Sequence, residues 1–214
     1  MMGRRRPTIP PRRRFFLGCE GASERSYGAL LQILADELEQ LHVYLDLQDL
    51  RGGDPLAIVE TAVAQLSRQT RNHGSFVAKA VLLDEDKLGR NPCRDAQIGP
   101  LAQRNGLLLI WQRPCHEGLL LHHLPNCQTL RPSTAAAADS DLRREWPAYQ
   151  KPMTANRLRA RIGLTELASA ATVEHELAGL LSLLGFFQLL GDSSDTALDS
   201  RWKESSYRSK ATFQ

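Results

Sequence analysis

The chain has 214 residues, 42% of them hydrophobic and 24% charged, which suffices for one sizeable core with extensions. No apolar run approaches the roughly 18 to 20 residues of a membrane-spanning helix, and the basic start lacks the apolar stretch and cleavage site of a secretory signal. A cytoplasmic protein with no membrane contact is therefore expected. The formal charge of +3 conceals an asymmetry: six of the 27 basic residues fall in residues 1–14, which hold no acid, leaving 21 against 24 acidic residues elsewhere.

That arm is interrupted by Pro7, Pro10 and Pro11 and cannot form a helix, so residues 1–14 read as a disordered basic segment able to contact phosphate. A solvated tail with no partner is the alternative. Phe15 to Cys19 is a nearly continuous apolar run ending at Glu20, as in a strand buried on both faces of a parallel sheet. From Ser23, Tyr27, Leu30, Leu31, Leu34, Leu38 and Leu41 recur every three or four residues and predict a helix over Ser23–Leu41. Ser23 would cap it and Glu24 would complement its N-terminal dipole. His42–Leu50 alternates like a strand near a sheet edge. Gly52 and Gly53 lie in a turn before Asp54, an N-cap, and Pro55, the first residue of a helix to about Arg71.

Phe76–Leu83 is the third predicted strand and ends in Asp84, Glu85 and Asp86; Asn91 and Pro92 open a helix, and Gly106–Trp111 is the fourth strand. The alternation over residues 15–128 predicts an α/β fold with a four-stranded, mainly parallel, Rossmann-like sheet flanked by helices. Residues 129–140, with Pro132, Ser133 and four consecutive alanines, read as a linker. Residues 141–190 form a helical extension with helices over Asp141–Tyr149, Thr154–Ile162 and Val173–Leu190. In the last, Leu183, Gly185 and Phe186 widen the apolar stripe enough to predict contact with another chain. Residues 191–214 are a polar tail.

In a parallel α/β sheet ligands bind beyond the carboxyl ends of the strands, where Glu20 and Asp84 sit. Side chains two apart on an extended chain share a face, so Asp84 and Asp86 converge, and Glu20 joins them if the first and third strands are neighbours. Two like charges about 4 Å apart repel by about 4 kcal/mol at an effective dielectric near 20, so a counter-charge is needed. Oxygen ligands of this kind suit Mg²⁺ or Mn²⁺, and Glu24 projects toward the same crevice. The four cysteines show no CxxC pair, which speaks against a zinc site or a disulfide framework. Cys115 and His116 make a poor nucleophile and base, because adjacent residues seldom face each other.

FFLGCEGASE followed by VLLDEDK resembles the Toprim superfamily, in which a glutamate closes the first strand and a DxD a later one. Within it, Phe15–His123 resembles the RloB family through the Glu20–Glu24 start, the Gly52-Gly53-Asp54-Pro55 turn, the aspartate-rich strand end, and a segment in which Pro114 and Glu117 are kept. Arg113 and His116 replace the usual asparagine and phenylalanine of that segment, and His123 aligns with its histidine. The resemblance implies a metal-dependent nuclease cutting RNA or DNA, tRNA among the candidates, in anti-phage or abortive-infection defence beside an ATPase partner. Glu20, Glu24, Asp84 and Asp86 would be catalytic, and Glu117 and His123 would lie near the substrate, with a capped helix and an interfacial histidine as the alternative. Read from their own placement, Arg113 beside the fourth strand's end is a bidentate phosphate donor or a surface arginine, and Gly52 and Gly53 before a helix N-terminus admit a phosphate or form a plain turn. A non-catalytic interaction subunit docked on the ATPase, and a homo-oligomer, are the alternatives for the scaffold and its last helix.

Overall fold

The computed structural model describes residues 11–186. Strands β1 (Arg13–Cys19), β2 (Val43–Asp49), β3 (Ala78–Asp84) and β4 (Leu108–Gln112) form one sheet in the order β2-β1-β3-β4, and every pairing is parallel. Alternate residues of β1, β3 and β4 enter different cores. Phe15, Leu17, Cys19, Ala80, Leu82 and Ile110 face α1 (Ala22–Asp36) and α4 (His116–His122). Phe16, Val81 and Leu83 face α2 (Pro55–His73) and α3 (Pro92–Asn105). The result is a three-layer, Rossmann-like α/β fold, as the alternating pattern predicts.

The helix starts follow local chemistry. Asp54 accepts the Ala57 N–H at 3.2 Å ahead of Pro55, and Asn91 accepts the Arg94 N–H at 3.3 Å ahead of Pro92. α1 begins one residue before the predicted start: Gly21, not Ser23, is its N-cap, and the Glu24 carboxylate accepts the Gly21 N–H at 2.9 Å. It ends at Asp36, before Leu38 and Leu41. On the free edge of β2, Gln32 accepts the Leu45 N–H at 2.7 Å and blunts the edge against pairing with another chain.

Three expectations need correction. The basic arm does not extend to residue 14: Arg13 and Arg14 belong to β1, where Arg13 donates to the Leu184 carbonyl at 3.1 Å and Arg14 pairs with Asp46 while lying over the Phe76 ring. Arg12 pairs with Asp36 at 2.9 Å, and Arg4, Arg5 and Arg6 lie outside the described residues. Nor are residues 129–140 a linker. Thr134 caps α5 (Ala135–Glu145), which the alanines open, because alanine has the highest helix propensity of any residue. Ala138 and Leu142 are fully buried, and Leu142 belongs to the core that covers α1.

The extension then runs through α6 (Ala155–Arg159), α7 (Leu164–Ala171) and α8 (His175–Leu184), so Val173–Leu190 is not one helix. Leu177, Leu180, Leu181, Leu184 and Phe186 are buried, and among the described large apolar side chains of α8 only Leu183 is exposed. Phe187, Leu190 and the 191–214 tail lie outside the described residues. Leu142→Ala is expected to destabilise the protein by about 3 kcal/mol in urea unfolding. A change below about 0.5 kcal/mol would return α5 to the status of a linker.

Candidate functional site at the carboxyl ends of the strands

β1 and β3 are neighbours whose connections leave in opposite directions, β1 toward β2 and β3 toward β4, so the sheet's switch point lies between them. Glu20 follows β1 there and Asp84 closes β3. Asp84 continues the parity of Ala80 and Leu82, so it faces α1 and α4. Glu20 spans the two strands: its Oε2 accepts the Asp84 N–H at 3.3 Å and its Oε1 is paired with the Lys87 ammonium.

Asp86 does not lie in an extended run. Glu85–Lys87 is a 3₁₀ turn, in which positions two apart do not share a face, and the exposed Asp86 donates its backbone N–H to the Pro114 carbonyl at 2.9 Å. Its charge still reaches Asp84. Burial first, then Glu20, Glu24, Asp86 and Glu117, push the Asp84 carboxyl from 3.8 up to about 8. Oδ1 of Asp84 is buried with no hydrogen-bond partner. Among the described residues, no three His, Cys, Asp or Glu side chains converge closely enough to hold a metal ion by themselves.

Glu24 is buried at the start of α1. It caps α1, and its Oε1 stands 4.0 Å from His116 Nδ1. Glu117 is 2% exposed: it accepts from Tyr149 Oη at 3.0 Å and Cys115 Sγ at 3.2 Å, and pairs with Lys151 at 2.8 Å. Burial alone would raise its carboxyl, but the Lys151 and Cys115 contacts outweigh that and draw it down to about 2. Gly118 is required beside it, because a Cβ there would lie 2.2 Å from the Arg113 carbonyl oxygen. The Cys115 thiol, pushed up to about 12 by burial and by Glu117, is no nucleophile.

Other expected positions are otherwise engaged. Arg113 forks onto Glu176 at 2.7 and 3.0 Å and reaches Glu85 at 3.2 Å, so it joins α8 to the end of β3 and does not offer its guanidinium to a phosphate. His123 is fully buried, donating from Nδ1 to the Leu119 carbonyl at 2.9 Å and accepting from Tyr27 Oη at 3.0 Å. Burial holds its ring neutral, with a pKa down at about 4. It is a core histidine. Gly52 donates its N–H to the Glu20 carbonyl at 2.8 Å, and both glycines have positive φ. Gly53, but not Gly52, lines a cleft of about 200 Å³ with Asp54, Lys87, Arg90 and Asn91.

Sequence reasoning passed over Gln112, Lys87, Tyr149 and Lys151. Gln112 carried a signal of the Asp84 kind, a polar residue closing an apolar strand. Tyr149 and Lys151 carried none, since they arrive from beyond α5. No family model, curated protein or solved structure matches the chain.

The raised Asp84 carboxyl fixes a pH dependence. Its contribution to stability is complete below its ordinary 3.8 and is lost as pH rises through about 8. In chelator, Asp84→Asn is therefore expected to melt above wild type at about pH 9 and together with it at about pH 3.5. A variant less stable than wild type at the higher pH would mean that the ionised carboxylate supports the fold.

Proposed function

We propose that the chain is a divalent-metal-dependent phosphodiesterase acting on RNA or DNA, centred on Asp84 and Glu20. The observation that carries the reading is the unpartnered, buried Oδ1 of Asp84 at the β1/β3 switch point, in the field of Glu20, Glu24, Asp86 and Glu117. Such an atom needs a cation or a strong donor. Mg²⁺ fits, because it is commonly held by one or two protein carboxylates, with water and substrate phosphate completing its shell. Asp84 would hold the ion, with Glu20 beside it and Asp86 at the exposed rim. When bound, the ion supplies positive charge at the scissile phosphoryl group and acidifies water.

The chain's own residues supply the rest. Lys87, paired with Glu20, and Arg90 border the neighbouring cleft, and Lys151 is paired with Glu117 at 2.8 Å, so cations stand among the acids. A phosphodiester backbone approaching the centre meets these cations. Lys87 can exchange the Glu20 carboxylate for a phosphate oxygen, freeing Glu20 to ligate or to accept a proton. On this reading the chain is the cutting subunit of an anti-phage or abortive-infection system with an ATPase partner, as the RloB-like residues imply.

One observation favours a second reading, a non-catalytic subunit on the same scaffold: Glu20 already has its counter-ion in Lys87. Incubation with tRNA, plasmid DNA and a chromogenic phosphodiester, in Mg²⁺, Mn²⁺ or chelator, separates the two. Metal-dependent cleavage is expected, falling roughly 100-fold or more in folded Asp84→Asn and Glu20→Gln variants. No cleavage of any substrate with either ion would leave the non-catalytic reading.

A further inference from the structure

Besides Asp84 Oδ1, one other buried side-chain polar atom among the described residues lacks a hydrogen-bond partner: Oε1 of Gln112. Gln112 has no exposed surface and ends β4 in register with Asp84, which ends β3. Adjacent strands lie about 4.8 Å apart, and registered residues of a parallel pair point to the same face. Gln112 follows Ile110 by two residues, so that face is the one turned toward α1 and α4. The two unsatisfied acceptors thus sit side by side at the carboxyl end of the sheet.

The orientation of the carboxamide is set by its other end. Gln112 Nε2 donates to His116 Nδ1 at 2.8 Å, and His116 is itself 1% exposed and packed edge-on against Tyr27 at 5.7 Å between ring centroids. Burial keeps the imidazole neutral, which leaves Nδ1 able to accept. With the nitrogen committed, the oxygen is the branch left for a ligand.

We propose that Gln112, through Oε1, is an oxygen ligand of the same divalent cation that Asp84 holds, and that His116 is the positioning residue that fixes its carboxamide. This rests on the phosphodiesterase reading and extends it to a residue outside the acidic set. Hard cations accept amide carbonyl oxygens beside carboxylates. A neutral donor also suits this place better than another acid, since Asp84 already lies in the field of four carboxylates. Among the described residues His, Cys, Asp and Glu side chains form no complete ligand set here, and the Gln112 amide oxygen adds a contact to it.

The test is Mn²⁺ binding to the full chain, read as loss of the free-ion electron paramagnetic resonance signal, with the Mn²⁺-induced rise in melting temperature as a second measurement. Gln112→Met keeps the side-chain length and removes the oxygen together with the N–H given to His116; the folded variant is expected to bind Mn²⁺ roughly 10- to 100-fold more weakly. Gln112→Glu, which restores an oxygen, is expected to bind within a few-fold of wild type. Should Gln112→Met not fold, Gln112→Asn withdraws the oxygen by one methylene and is expected to weaken binding likewise. A folded Gln112→Met or Gln112→Asn that binds Mn²⁺ as wild type does, while Asp84→Asn does not, would overturn the assignment of Gln112 and leave the Asp84 centre standing. Wild-type protein that binds no Mn²⁺, or that binds it equally after Asp84→Asn, would overturn both.

Discussion

A carboxylate leaves water at a cost that only a counter-charge or hydrogen-bond donors offset, and the carboxyl end of this sheet imposes that condition on several at once. Glu24 answers it with the Gly21 N–H, Glu20 with Lys87 and the Asp84 N–H, and Glu117 with Tyr149, Cys115 and Lys151. Asp84 has no such answer for Oδ1. Burial acts to raise both carboxyls; Asp84 stays raised because its neighbours are acids that add to the effect, whereas Lys151 and Cys115 draw Glu117 down. That difference in partners separates an acid that secures the fold from an acid whose partner the proposed cation would supply.

The C-terminal helices are part of this arrangement. Tyr149 and Lys151, just past α5, close over Glu117 on α4, while His122 on α4 bonds to Glu174 at 2.5 Å just before α8. Arg113 at the end of β4 then ties Glu176 of α8 to Glu85, in the turn that follows Asp84. The extension thus holds the loops around the strand ends, and α8 spends most of its apolar surface on the protein's own core. The large apolar stripe expected for another chain reduces, among the described residues, to Leu183.

Much of the architecture was legible because its signals are local. The apolar run Phe15–Cys19, the Asp54-Pro55 and Asn91-Pro92 starts, and the polar residues closing each strand act within a few positions, and the structure places all of them close to where the pattern does. The alanines of α5 misled because Pro132 and Ser133 just before them signal a turn, whereas helix propensity and burial of Leu142 decide the segment. Asp86 misled because period-two spacing holds only while the chain stays extended, and β3 ends at Asp84. Arg113, Glu117 and His123, expected near a substrate, are instead engaged by Glu176, Tyr149, Lys151 and Tyr27, which are far along the chain. Such contacts decide whether a charged or polar side chain is free for substrate, and no local spacing encodes them.

The most direct test of the central claim is anomalous diffraction from crystals of the full chain soaked in Mn²⁺. The account requires a single strong peak at the β1/β3 switch point within ligand distance, about 2.0 to 2.3 Å, of an Asp84 carboxylate oxygen. Crystals that hold Mn²⁺ elsewhere, or nowhere, with Asp84 Oδ1 hydrogen-bonded to protein or water, would contradict it.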